Sequence, residues 1–204
     1  MPGALQRLGV LGGSFNPPHL GHLVIASEAH WLARLDRVLF VPAADPPHKR
    51  IADGVPAAAR LRLTRAAVAG DRRFEVCDIE IERCLRYTVD TLQVLHELYA
   101  ESTLVFIAGS DSLLALQSWH EPDRILTLCE LAVAPRPEDD EAAVRAAAAR
   151  WGPAVTVLPS ARVGISSTDV RARLRAGHPV DYLVPEAVRE LIVEEGWYRG
   201  DDQA

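Results

Sequence analysis

Three observations predict a doubly wound α/β fold for this chain of 204 residues. Short apolar runs alternate with helical stripes along its length. Loops rich in breakers, above all 42–56 and 135–140, separate the two kinds of segment. The first apolar run ends in a glycine pair. Alternation of this kind builds a Rossmann-like parallel sheet with helices on both faces. In such sheets ligands bind at the carboxyl ends of the strands, where the connection order reverses.

The elements follow in order. Residues 8–11, 38–41, 103–108, 131–134 and 155–158 are apolar enough to be strands buried on both faces. In the first helix Leu20, Leu23, Val24, Ser27 and Trp31 share one face. A second helical pattern covers 57–69 and stops at Gly70 and Asp71. Thr88 is a suitable N-cap for a helix with Leu92, Leu95, His96 and Tyr99 on one stripe. The alanine-rich stretch 138–150 reads as another helix. Pro185 suits a first helical position, with Val188, Leu191 and Ile192 as the buried face behind it. The expected organisation is a single domain over 1–204, with a small C-terminal helical portion over about 166–199.

Composition narrows the function classes. Hydrophobic residues make up 49% and charged residues 25%, which supports a sizeable core. The formal net charge of -6 argues against a protein that grips DNA or RNA by the backbone. The cysteines Cys77, Cys84 and Cys129 show no metal-ligand spacing and no disulfide framework. No apolar run approaches the roughly 20 residues that span a bilayer, and no targeting segment is visible. A cytoplasmic protein with no membrane or nucleic-acid partner is expected.

The chemistry concentrates after the first strand, in Gly12-Gly13-Ser14-Phe15-Asn16-Pro17-Pro18-His19-Leu20-Gly21-His22. Two glycines let backbone N–H groups approach an anion closely. The helix that follows presents its positive end to phosphate. His19 and His22 stand three apart at that helix start and can serve one pocket, donating to developing negative charge. Far downstream, Gly164-Ile165-Ser166-Ser167-Thr168-Asp169-Val170-Arg171 has the form of a capping box. Ser166 would cap and Asp169 would return the bond. A serine-rich helix start with Arg171 one turn in is also an anion site.

Three further segments have candidate roles. Pro46-Pro47-His48-Lys49 is a rigid turn that delivers a histidine and a lysine. Tyr87-Thr88-Val89-Asp90 opens a helix. Gly109-Ser110-Asp111 is a strand end with an acid that can accept from ribose hydroxyls, and Trp119 offers a flat face to a planar ring.

The first string resembles the nucleotidylyltransferase signature with its His-x-Gly-His core, and the second resembles the Ile-Ser-Ser-Thr-x-x-Arg motif of the same superfamily. With the middle segments, and with Tyr182-Leu183-Val184-Pro185-Glu186-Ala187-Val188, the chain is similar to the bacterial nicotinate-nucleotide adenylyltransferase family from Leu8 to about Tyr198. The resemblance implies adenylyl transfer from ATP to nicotinate mononucleotide, giving deamido-NAD and pyrophosphate, with magnesium carried on ATP and no dedicated metal site in the protein.

The resemblance also implies roles. His19, His22, Lys49 and Arg171 would be catalytic. Gly12, Gly13, Ser14, Phe15, His22, Asp111, Ile165, Ser166, Ser167 and Arg171 would bind ATP. Asn16, His48, Lys49, Thr88, Gly109, Asp111, Trp119 and Arg136 would bind nicotinate mononucleotide. Asn16 stands where the family often has aspartate, and His120 follows Trp119 where some relatives have an aromatic residue. Other readings are a sister adenylyltransferase acting on nicotinamide mononucleotide or phosphopantetheine, and a catalytically silent nucleotide-binding protein. A homo-oligomer is compatible with the sequence.

Overall fold

The computed structural model describes residues 6–45 and 51–199. Along the chain run β1 (Arg7–Gly13), α1 (Leu20–Leu32), β2 (Arg37–Pro42), α2 (Ala57–Val68), β3 (Phe74–Val76), α3 (Ile79–Glu82) and α4 (Thr88–Leu98). Then come β4 (Thr103–Gly109), α5 (Ser110–Ala115), α6 (Pro122–Leu128), β5 (Glu130–Ala134), α7 (Glu141–Ala149), β6 (Val155–Val157), α8 (Ser167–Arg175) and α9 (Glu186–Glu195). The six strands form one sheet in the order β3-β2-β1-β4-β5-β6, and every pairing is parallel. This is the doubly wound α/β fold expected from the alternation.

Strand alternation sorts the core into two layers. Leu8, Val10, Leu39, Val41, Leu104, Phe106, Leu131 and Val133 enter one layer, under α4, α5, α6 and α7. Leu11, Val38, Phe40, Val105, Ile107 and Ala132 enter the other, with Ala26 and Ala29 of α1. The face that α1 buries is small: Gly21, Ala26 and Ala29. Gly9 belongs to the same close packing, since a Cβ there would lie 2.7 Å from Leu35 Cδ1. A third cluster joins α2, α8 and α9 through Leu63, Val170, Val188 and Ile192.

Several boundaries differ from the sequence expectation. Trp31 is 79% exposed, so the α1 stripe ends before it; the helix packs by its alanines instead. His96 of α4 is likewise exposed. Tyr87, not Thr88, is the N-cap of α4, and Pro185 is an N-cap rather than the first helical residue. The helix expected from 138 begins at Glu141, with Asp140 accepting from Ala142 N. β3 goes beyond the sequence expectation: its three residues are too few to show a period, and it pairs in parallel with the outer edge of β2. Among the described residues no helix is long and apolar enough to cross a membrane.

Candidate active site

The sheet reverses its connection order between β1 and β4. The chain leaves β1 toward β2 and leaves β4 toward β5, so a crevice opens over the carboxyl ends of these two central strands. Gly12 and Gly13 end β1 and Gly109 ends β4. Two surface clefts of about 460 and 410 Å³ lie elsewhere, one beside β3 and one lined by Arg7, Glu130 and Leu131 at the amino ends of the strands. We place the site at the crevice because the chemistry-bearing residues converge there.

Past Gly13 the backbone turns sharply. Phe15 takes a left-handed φ of 44° and is buried, with its ring under Gly13 and edge-on to His22 at 5.0 Å. The turn delivers His19 as N-cap of α1. The two imidazoles stack with centroids 3.7 Å apart. His19 N donates to His22 Nδ1 at 3.2 Å, which makes Nδ1 of His22 an acceptor. His19 is 6% exposed, and its Nδ1 is buried without a hydrogen-bond partner. Burial, and next the Arg136 charge, push its pKa down to about 4. It is therefore a neutral imidazole at pH 7. Unsatisfied buried polar atoms are rare and gather at functional sites.

Gly21 explains the spacing of the two histidines. A Cβ at Gly21 would stand 2.9 Å from His19 Nδ1 and 3.3 Å from the Ile165 carbonyl oxygen. Only glycine lets the ring of His19 and the loop before α8 close on α1 together.

That loop brings in the second motif. Ser166 caps α8, accepting from Asp169 N at 3.1 Å and donating to Asp169 Oδ2 at 2.6 Å. Ser167 Oγ donates to the Pro17 carbonyl at 2.9 Å. The amino ends of α1 and α8 thus meet, and each carries a partial positive charge. Arg171 is buried at 8% exposure. Its Nη1 donates to the Asn16 carbonyl at 2.7 Å and its Nη2 to Thr168 Oγ1 at 3.3 Å. Its Nε lies 3.1 Å from Asp53 Oδ2, but the N–H is not aimed along that line, so the contact is ionic rather than a hydrogen bond. Asn16 is also turned inward: its Nδ2 donates to Ala52 O and its Oδ1 accepts from Tyr198 Oη.

Two more groups border the crevice. Asp111 and Arg136 pair at 2.7 Å across the ends of β4 and β5, both largely exposed. Gly109 makes room for them, since a Cβ there would sit 2.6 Å from Asp111 Oδ1. Thr88 begins α4, and Trp119 packs edge-on against Phe106. Their neighbours Tyr87 and His120 stack at 4.4 Å, so the two segments come together at the surface. His48 and Lys49 lie outside the described residues.

Sequence reasoning missed four residues: Arg60, Glu80, Asp53 and Tyr198. Arg60 is one of three arginines of α2 and Asp53 is a lone acid in a loop, neither inside a motif, and Tyr198 sits far down the chain. Glu80 has no local signal either, yet burial drives its carboxyl up to about 7, against bonds from Thr91 and Ala44 N–H that lower it.

The cytidylyltransferase-like family model matches residues 10–173 and makes the chain a nucleotidyltransferase. Two of the relatives that carry the name "probable nicotinate-nucleotide adenylyltransferase" show how far the match extends. One, from Exiguobacterium sibiricum, is 40% identical over 95% of this chain and 99% of its own length. The other, from Synechococcus sp. (strain JA-3-3Ab), is 38% identical over 95% of both chains. The chain belongs to the nicotinate-nucleotide adenylyltransferase family. Its fold is shared by the Plasmodium falciparum nicotinic acid mononucleotide adenylyltransferase complexed with NaAD, with a TM-score of 0.79 and 17% identity over 95% of this chain and 97% of that one.

Proposed function

We propose that this chain transfers the adenylyl group of ATP to nicotinate mononucleotide, giving deamido-NAD and pyrophosphate in NAD biosynthesis. The observation that carries the reading is the meeting of two helix amino ends, bonded through Ser167 and Pro17, beside the stacked pair His19 and His22.

A phosphate oxygen of the mononucleotide attacks the α-phosphorus of ATP. The bond from that phosphorus to the bridging oxygen breaks, and pyrophosphate leaves with the electron pair. The attacking phosphate is already an anion, so no enzyme nucleophile or general base is needed. The barrier is the approach of two polyanions, and positioning can lower it by about 7–11 kcal/mol. Donors fixed before the reaction do the rest. A neutral His19 and the N–H groups of Gly13, Ser14, Ser166 and Ser167 are such donors. His22 bonds the phosphates from the same helix start, and Lys49 adds a cation. Arg171, with its guanidinium engaged by Asn16 and Thr168, acts by its charge from behind the loop rather than as an open fork. Asp111 and Arg136 would take the ribose and phosphate of the nucleotides. Thr88, Trp119 and Gly109 would border the pyridine side, and His48 would contribute to mononucleotide binding.

The carboxylates around the crevice already have partners: Asp111 has Arg136, Asp53 has Arg171 and Arg175, and Asp169 has Ser166. This donor set suits phosphate oxygens and leaves a divalent cation, Mg²⁺, to ride on the triphosphate. Its chemistry there would be to neutralise phosphate charge. The cytoplasm, where ATP and the mononucleotide are available, is the proposed compartment.

The test is pyrophosphate release by His22→Ala with folding confirmed by circular dichroism. A fall of about 10² or more is expected for a lost transition-state donor. A wild-type rate would remove His22 from the mechanism.

A further inference from the structure

Arg60 is the largest fully buried side chain among the described residues, 1% exposed, and it lies in α2 outside both motifs. Its guanidinium bonds three carbonyls from two loops. Nη1 donates to Ser14 O at 2.7 Å, and Nη2 donates to Ala43 O at 2.6 Å and Ala44 O at 3.0 Å. Ser14 belongs to the turn after β1, and Ala43 and Ala44 continue β2. Glu80 is coupled to the same loop: the Ala44 N–H and the Arg60 charge both lower its pKa against burial, and it accepts from Thr91 Oγ1 at 2.8 Å. Thr91 is one turn into α4, the helix that Thr88 opens.

A buried guanidinium beside a half-buried carboxyl is expensive to desolvate, and an apolar pair would fill the space more cheaply. Arginine is retained where a planar fork must reach several acceptors at once, which lysine cannot do. The acceptors here are the floors of two loops, and the far end of the chain of bonds is α4. Resting on the proposed adenylyl transfer, we infer that Arg60 and Glu80 are positioning residues that set the spacing between the β1 turn, which holds ATP, and α4, which borders the mononucleotide. In-line transfer is sensitive to that spacing, since about 1 Å of misplacement costs on the order of 10²-fold in rate.

The experiment separates positioning from folding. For Arg60→Met, Arg60→Lys and Glu80→Gln, binding of MgATP alone and of nicotinate mononucleotide alone is measured by calorimetry, and single-turnover pyrophosphate release is measured beside it. Each binary site keeps its own loop, so stoichiometry near that of wild type is expected, with each Kd within about 3-fold. The turnover rate is expected to fall at least 10-fold in Arg60→Met, less in Arg60→Lys, and at least 3-fold in Glu80→Gln. Rates within 2-fold of wild type overturn the inference. So does a rate loss matched by an equal loss of binding stoichiometry, which marks a role in folding alone. If the Arg60 variants do not fold, Glu80→Gln, which keeps the size and shape of the side chain, decides by the same two readouts. Wild-type protein without transfer to nicotinate mononucleotide would refute the proposed function instead, a result distinct from both.

Discussion

Tyr198 Oη donates to Asn16 Oδ1 at 2.6 Å, joining residues 182 apart in sequence inside the protein. The same amide donates from Nδ2 to Ala52 O at 2.9 Å, and the Asn16 carbonyl accepts from Arg171. Asn16 therefore fastens the turn after β1 to the C-terminal end, to the loop before α2 and to α8. An asparagine suits this place because it must donate and accept at once. An aspartate would accept from Tyr198 but face the Ala52 carbonyl with no proton to give.

Tyr198→Phe removes the donor and leaves Asn16 Oδ1 buried without it. A loss of about 1–3 kcal/mol is expected, read from the urea midpoint at unchanged m. An unshifted midpoint would mean that water or another group takes the bond without cost.

Gly21→Ala separates helix propensity from site geometry. Alanine in a helix is worth about 1 kcal/mol over glycine. The new Cβ would meet His19 Nδ1 at 2.9 Å and Ile165 O at 3.3 Å, so overpacking of about 1–3 kcal/mol opposes it. Stability near wild type or below is expected, with pyrophosphate release down at least 10-fold as His19 moves. A stabilised variant with full activity would show that the contact between α1 and the Ile165 loop is not tight.

Asp53 lies between two arginines of α8, bonded to Arg175 and in ionic contact with Arg171. Asp53→Asn leaves the buried Arg171 charge less compensated, and a loss of about 1–3 kcal/mol is expected. Arg175→Ala removes a side chain that is 43% exposed, and its effect should stay below about 1 kcal/mol. Equal effects of the two substitutions in urea denaturation would contradict the difference in burial.

The pH dependence of stability has two opposed parts. His19 titrates near 6.5 when unfolded and is pushed down to about 4 when folded, first by burial. The unfolded chain binds the extra proton, so stability falls as pH drops from about 6.5 to 4. Glu80 titrates near 4.5 when unfolded and is raised to about 7, again first by burial. The folded chain holds that proton, so stability falls as pH rises from about 4.5 to 7. Each is worth on the order of 3 kcal/mol, and in the wild type they largely cancel. His19→Gln should show stability falling toward pH 7, and Glu80→Gln should show it falling toward pH 4, each by urea melts across that window. Parallel profiles for the two variants would refute the opposed assignment.

The parallel sheet was legible because each long strand is a continuous apolar run, and the capping box at Ser166 was legible because four adjacent residues carry it. β3 was not, because three residues show no period. The two motifs at Gly12–His22 and Ile165–Arg171 could each be read locally, but their contact could not. It depends on Gly21 leaving space, on Ser167 reaching Pro17, and on Arg171 reaching Asn16. Arg60, Glu80 and Asp53 were invisible for the opposite reason: each gains meaning only from carbonyls or charges that the fold brings from elsewhere. Trp31 misled because periodicity marks a face but does not tell where the neighbouring element ends.

Steady-state pyrophosphate release, with MgATP and either nicotinate mononucleotide, nicotinamide mononucleotide or phosphopantetheine, shows which acceptor the protein adenylylates. Turnover with nicotinate mononucleotide that exceeds the other two in kcat/KM is the expected result. Robust turnover with phosphopantetheine and none with nicotinate mononucleotide, or nucleotide binding without turnover on any of the three, would contradict it.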